Sequence, residues 1–160
     1  MTNQLFVKMV LDAWYSKVKD ADTLFDKLSD EQLQKEVAPN RNRGIYLLGH
    51  LVAVHDNMRV LLGLGDKLYP QLLDAFVTQP DDKTKQFNES AAELRKYWKN
   101  INSVLDTHFK NTSADEWFQK HTSVSAEDFK KEPHRNKLNV LISRTNHLTN
   151  HTGQLVFLKS

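Results

Sequence analysis

Four proline-free stretches of this sequence repeat apolar residues at steps of three and four, and this pattern limits the fold more than any other feature. They cover about residues 5–28, 44–62, 88–109 and 136–158. Such steps follow the turn of an α-helix, so each stretch predicts an amphipathic helix with one apolar face. No segment between them is a convincing strand. The sequence therefore predicts an all-α protein, a four-helix bundle.

The connections between these helices carry further information. The full chain, residues 1–160, has the usual length of one domain, and we expect a single domain. Ser29 and Gln32 have the pattern of a capping box and predict a short helix after the first long one. Pro70 suits the first position of another short helix through Val77. Residues 110–135 are expected to be irregular, with a short helix near 114–118. About 25 residues separate the second long helix from the third. A connection of that length can return along the bundle, which favours one long crossover between helices 2 and 3.

Composition excludes several classes of function. With no cysteine and seven histidines, the chain cannot form a disulfide or a thiolate site, so a transition metal would need histidine or oxygen ligands. A net charge of +2, with acidic and basic residues interleaved, argues against nucleic-acid binding. No apolar run approaches the ~20 residues of a membrane span, and the first residues show no signal-peptide pattern. We expect a cytoplasmic protein without membrane or nucleic-acid partners.

Three histidines can meet between two of the predicted helices. His147 and His151 are four positions apart and share one face of the fourth helix. The spacing alone is weak evidence, because the zinc-protease motif needs glutamate after the first histidine and Leu148 stands there. At about 100° per residue, both lie on one flank of the apolar face, and His50 lies on the corresponding flank of the second helix. Helices 2 and 4 could therefore present three imidazoles to one point.

Other histidines stay open on helical geometry alone. His55 lies nearer the centre of the apolar face of the second helix, and His108 fits a core position of the third. Either could replace His50, although a single histidine on an apolar face is more often a hydrogen-bonded core residue. His121 and His134 fall in predicted loops, where a surface position is the simpler interpretation.

Three segments resemble motifs of the DinB-like (DinB/YfiT) superfamily. Leu47–Leu51, which reads LLGHL, resembles its first histidine motif, at the entry to the second helix. His147–Leu155, which reads HLTNHTGQL, resembles its last-helix pattern HxxxHxGQL. Leu28–Leu33, which reads LSDEQL, is similar to the link after helix 1. The paired histidine motifs at this separation are far more specific than two histidines four apart.

The resemblance implies an up-down-down-up bundle and a divalent metal held by His50, His147 and His151, in preference to His55 or His108. Zn, Ni, Fe and Mn all accept imidazole ligands. Members of the superfamily include transferases and isomerases that use low-molecular-weight thiols, and homodimers are common among them. The resemblance thus implies a metal-dependent enzyme that transfers a small thiol to an electrophilic substrate. The alternative is a non-catalytic metal-binding or plain dimerising bundle.

Polar residues near the proposed ligands are candidates for orienting them, because a ligating imidazole wants its second nitrogen anchored. Ordinary solvated or capping roles suit the same residues. The candidates are Asn57, Gln154, Asn150 and Arg144.

Gly49 and Gly153 lie inside predicted helices and within two residues of a proposed ligand. Glycine there costs about 1 kcal/mol relative to alanine. Either these glycines let a neighbouring helix or a substrate approach the metal, or they make ordinary packing contacts. Trp14 and Trp98 fit core positions, while Trp117, in the third connection, is expected to be a lid or a dimer contact.

Overall fold

The chain forms four long α-helices with shorter helical segments between them. The structure is a computed structural model that describes residues 2–159. For residue 2 it describes only the backbone. In chain order the α-helices are α1 (Thr2–Lys27), α2 (Asp30–Leu33), α3 (Gly44–Leu62), α4 (Ala91–Asn111), α5 (Ala114–Trp117), α6 (Ala126–Lys131) and α7 (Lys137–Leu155). A π-helical turn covers Asp74–Thr78, and a 3-10 turn covers Val156–Lys159. No strand occurs in residues 2–159, so the all-α class is confirmed.

The residues that bound the helices explain most of their positions. In the predicted capping box, the Gln32 N–H donates to Ser29 Oγ at 3.1 Å and the Ser29 N–H donates to Gln32 Oε1 at 2.9 Å. Gly63 ends α3 in the left-handed conformation with φ 73°, which suits a residue without a side chain. Helix α4 begins at Ala91, later than expected, because Ser90 caps it.

One short helix was missing from the sequence prediction. We expected an irregular segment over residues 110–135, with a short helix near 114–118, and α5 confirms that short helix. The same segment also contains α6, where Ser125 Oγ accepts a hydrogen bond from the Asp128 N–H at 3.0 Å. Serine followed three residues later by an acid is a helix start signal, so this helix could have been found.

The four long helices pack in a ring. Helix α1 contacts α7, α7 contacts α3, α3 contacts α4, and α4 contacts α1. Between α1 and α4, Phe25 meets Trp98 at a ring separation of 5.3 Å and Trp14 meets Phe109 at 6.2 Å. These two pairs are compatible with an up-down-down-up order, which itself stays a prediction. No helix within residues 2–159 combines the length and apolar character needed to cross a membrane.

Two expectations about the interior were wrong. His108 does not fill the core position predicted for it; it is half-buried, and the next residue, Phe109, is buried at 2% exposure. Three-residue and four-residue steps are both allowed on a helix face, and the chain uses four after Leu105. Trp117 is 1% exposed and packs edge-on against Phe109 at 5.0 Å, so it is neither a lid nor a surface contact.

A buried ion pair fastens the long crossover to the start of α3. Asp81 accepts hydrogen bonds from the Arg43 backbone N–H at 2.7 Å and from its guanidinium Nη2 at 2.7 Å. The same guanidinium lies 4.8 Å from the centre of the Phe87 ring. The short helix predicted after Pro70 is confirmed: residues 72–78 are helical, with π-helical hydrogen bonding over Asp74–Thr78, and Phe76 is fully buried. The crossover is thereby held against the helix that carries His50.

Candidate metal centre

The structure brings together His50 from α3 with His147 and His151 from α7. The Nε2 atom of His147 lies 3.1 Å from His50 Nε2 and 3.1 Å from His151 Nε2. Within residues 2–159, these three form the one group of three or more histidines and acids close enough to share a metal ion. Each residue is half-buried, so the cluster reaches solvent. Neither His55 nor His108 belongs to it, so of the three histidines that helical geometry left open, His50 is the one that lies beside His147 and His151.

Hydrogen bonds made by Nδ1, on the side of the ring away from the cluster, orient two of the three imidazoles. His50 Nδ1 donates to the Phe76 carbonyl at 2.7 Å, and His151 Nδ1 donates to Gln154 Oε1 at 2.9 Å. A proton on Nδ1 leaves the lone pair on Nε2, which is the atom that faces the cluster. Gln154 was a candidate for this role from the sequence. Asn57 was the candidate for His50, and the Phe76 carbonyl takes that place.

His147, between the other two, has no such anchor. Its Nδ1 is buried and without a hydrogen-bond partner among the described residues. Burial, reinforced by the neighbouring His151, His50 and Arg144, lowers the pKa of His147 to about 4. Burial also lowers the pKa of His50, against the opposing effect of the Phe76 carbonyl. Both imidazoles are therefore neutral at neutral pH, which is the form that binds a metal.

The spacing of the nitrogens suits a shared ion. Two nitrogens bound to one zinc ion at about 2.0–2.1 Å lie about 2.8–3.4 Å apart in tetrahedral to octahedral geometry. The two 3.1 Å contacts fall within that range. All three nitrogens lie within 4.8 Å of one another. Three lone pairs that converge without a carboxylate fit a borderline-soft divalent metal better than Mg²⁺ or Ca²⁺.

A stacked tyrosine and an open cavity flank the cluster. The Tyr46 ring stacks on His50 at 6.1 Å and 11° between planes, and its hydroxyl donates to the Gln79 carbonyl at 2.9 Å. A cavity of about 570 Å³ lies beside His151 and Gln154. Its other lining residues come from the loop before α3 and from Phe157, and none of them is acidic. A small molecule could therefore reach the histidine cluster from this side.

The two glycines next to the ligands turn out to differ. A Cβ atom at Gly49 would lie 2.4 Å from the Phe76 ring, so glycine is what lets the π-helical turn pack against α3. A Cβ atom at Gly153 would meet nothing within 4 Å. Gly49 therefore makes the packing contact that the sequence left open, and no protein neighbour requires Gly153.

His55 is a core residue. It is fully buried between Trp14 and Trp98, each at a ring separation of 4.8 Å, and its Nδ1 donates to Asn102 Oδ1 at 2.9 Å. His134, by contrast, is exposed in the loop before α7, as predicted, and His121 is half-buried.

Burial lowers the pKa of His55 to about 3, and this should make the fold sensitive to acid. An unfolded histidine titrates near pH 6.5, so below about that pH the unfolded chain takes up a proton that the folded chain refuses. We expect the stability of the wild type to be intact above pH 6.5 and to fall by up to about 1.4 kcal/mol per pH unit between pH 6.5 and 3. The free energy of unfolding is measured in urea at pH 7 and at pH 5. Between these two pH values it should fall by about 2 kcal/mol less in His55→Asn than in the wild type. An equal loss in both proteins would contradict this assignment.

Comparison with known proteins supports the fold and gives no evidence about the reaction. A crystal structure described as the conserved protein of locus from Enterococcus faecalis aligns with a TM-score of 0.63 over 94% of this chain and 93% of that chain. The two sequences are 14% identical, so the likeness concerns the fold alone. No family model and no curated protein matches the sequence.

Proposed function

We propose that this protein is a metal-dependent enzyme in which His50, His147 and His151 hold a divalent transition metal through their Nε2 atoms. The observation that carries the proposal is the meeting of these three atoms at 3.1 Å contacts, with two of the rings fixed from behind. Zn, Ni, Fe and Mn are the candidate ions, because all accept imidazole nitrogen. The convergence of residues from α3 and α7 is difficult to explain as packing, since it brings three polar rings into mutual contact.

The resemblance to the DinB-like superfamily supplies the reaction class. We infer transfer of a low-molecular-weight thiol to a small electrophilic substrate: the thiol loses its proton, its sulfur bonds to the electrophilic carbon, and the bond from that carbon to the leaving group breaks. When bound, a divalent ion supplies Lewis acidity that lowers the pKa of a thiol or a water molecule. The chain has no cysteine, so the thiol comes from another molecule. His50 and His151 are held by their outer hydrogen bonds, and the cavity beside His151 is where the substrates enter.

Assembly and location belong to the same proposal. We infer a cytoplasmic homodimer, as the resemblance and the composition suggest. An apolar groove between α1 and α7, lined by residues that include Phe6, Met9 and Ile142, supports dimerisation because all three are exposed.

A non-catalytic metal-binding bundle is the second candidate. One observation favours it: no carboxylate within residues 2–159 joins the histidine cluster, so the chain offers no evident general base there. A protein of this kind would bind the metal and show no turnover.

Metal binding by matched histidine variants tests the first step. We expect the wild type to bind one Zn²⁺ per chain, and His147→Ala to weaken that binding by more than about 100-fold, because losing a ligand exceeds the loss of an orienting residue. His134→Ala removes an exposed histidine and should leave the affinity unchanged. Isothermal titration calorimetry measures the affinity of each protein for Zn²⁺, and elemental analysis measures the Zn²⁺ content per chain. Equal affinities in the wild type and His147→Ala would refute the metal site.

Turnover separates the two candidates. A panel of small thiols and electrophiles, assayed with the zinc-, nickel-, iron- and manganese-loaded proteins, should show thiol transfer that His147→Ala and chelator both abolish. Metal binding without transfer in every combination would favour the non-catalytic bundle.

A further inference from the structure

Arg144 differs from the other buried and half-buried arginines in having no ion-pair or hydrogen-bond partner for its side chain within residues 2–159. Arg43 pairs with Asp81, Arg95 pairs with Asp30, and Arg59 donates to backbone carbonyls. The Arg144 side chain is half-buried on α7. Its Nε is buried without a partner. Burial alone lowers the pKa of Arg144, and no neighbouring acid opposes that effect.

The position of Arg144 ties it to the histidine cluster. Residues three and seven positions apart lie on one face of a helix, so Arg144 shares its face of α7 with His147 and His151. Its charge is also close enough to lower the pKa of His50 and of His147. The outer guanidinium nitrogens are not among the buried unpartnered atoms, so they remain open to a ligand.

With a divalent ion bound, the site would carry positive charge that no acidic residue of the cluster offsets. Three neutral imidazoles add nothing to offset a divalent ion, and no carboxylate joins the cluster. Arg144 adds a further positive charge beside them. A planar guanidinium matches carboxylate and phosphate groups with paired hydrogen bonds that are stronger than neutral ones. In a partly buried site such a bond is poorly screened by solvent.

We propose that Arg144 binds an anionic oxygen group, a carboxylate or a phosphate, of the small molecule that occupies the three-histidine site. This inference rests on the proposed function for the role of the ligand, since it narrows the substrate to small anions. The anion-binding property belongs to Arg144 itself and can be measured with or without metal. Arg144 is thus a residue that selects and orients the substrate rather than a metal ligand.

Anion titrations followed by NMR test this proposal. The ¹⁵N-labelled protein, metal-free and Zn²⁺-loaded, is titrated separately with inorganic phosphate and with acetate. We expect saturable binding that shifts the Arg144 Nε–Hε resonance, and a dissociation constant at least about 10-fold higher in Arg144→Gln. Arg144→Lys keeps the charge but lacks the planar guanidinium, so its dissociation constant should lie between those of the wild type and Arg144→Gln. Lys130→Gln, an equal charge change on exposed α6, should match the wild type.

The outcomes separate this inference from the metal site. Equal anion affinity in wild type and Arg144→Gln overturns the role of Arg144, as does an equal loss in Lys130→Gln or the absence of saturable binding in the wild type. If none of Zn²⁺, Ni²⁺, Fe²⁺ and Mn²⁺ binds but phosphate binding still depends on Arg144, the proposed enzyme fails and the anion site stands. If Arg144→Gln does not fold, the Nε–Hε resonance of the wild type decides: an unshifted signal at saturation overturns the proposal.

Discussion

Gly49→Ala should lower both the free energy of unfolding and the affinity for metal, although it changes neither a proposed ligand nor a hydrogen-bonding side chain. The new Cβ would lie 2.4 Å from the ring of Phe76, which is fully buried and cannot simply turn away. Overpacking of this kind costs about 1–3 kcal/mol, partly offset by the better helix propensity of alanine. Displacing Phe76 also moves the carbonyl that accepts the hydrogen bond from His50 Nδ1. Loss of such an outer contact lowers metal affinity about 10–100-fold.

The same substitution at the other glycine is the control. Gly153 lies in α7 two residues after His151, and a Cβ there meets open space. Gly153→Ala should therefore raise the free energy of unfolding by about 0.5–1 kcal/mol and leave Zn²⁺ affinity unchanged. Urea unfolding and calorimetric Zn²⁺ titration of the two variants give the comparison. Similar behaviour of both would show that the contact between Gly49 and Phe76 does not matter.

Asp81→Asn should produce the other large effect. The carboxylate accepts hydrogen bonds from both the backbone N–H and the guanidinium of Arg43, and its side chain is fully buried. Removing one partner of a buried ion pair typically costs about 3–5 kcal/mol, because the remaining charge is left uncompensated. The expected result is a corresponding fall in the free energy of unfolding, measured in urea. The crossover would also loosen near Phe76, and metal affinity should fall with it.

An exposed ion pair provides the comparison for Asp81. Asp12 pairs with Lys8 one turn away on the surface of α1, and both side chains are more than half exposed. Solvent screens such a pair, so Asp12→Asn should change stability by less than about 1 kcal/mol. If the two substitutions had equal effects, the crossover would not depend on the buried pair.

Most of the fold could be predicted from the sequence because helix signals are local. Helix α3 begins and ends at the predicted residues, 44 and 62, since Gly63 and the loop before Gly44 are visible in the sequence. The cap formed by Ser29 and Gln32 was likewise predicted. The core position assigned to His108 was wrong because a helix face accepts steps of both three and four, and only the packing of Phe109 against Trp14 and Trp117 decides between them.

The site could be predicted less completely, because some of its contacts do not depend on the type of side chain. The candidate residues His50, His147, His151 and Gln154 could be predicted because their side-chain types and spacing are visible in the sequence. The partner of His50 is a backbone carbonyl, which every residue possesses, and nothing in the sequence distinguishes the one at Phe76. The unpaired state of Arg144 is equally invisible in sequence, because it depends on which acids the fold places nearby.

The division of the site along the chain has a consequence for biosynthesis. His50 and His147 are 97 residues apart, and the Phe76 carbonyl that orients His50 lies between them. Because chains are made from the N-terminus and fold as they emerge, a nascent chain ending before α7 holds one histidine of the three. If the proposed metal site is correct, such a chain would lack two of the three ligands, and the metal would bind only after α7 is made.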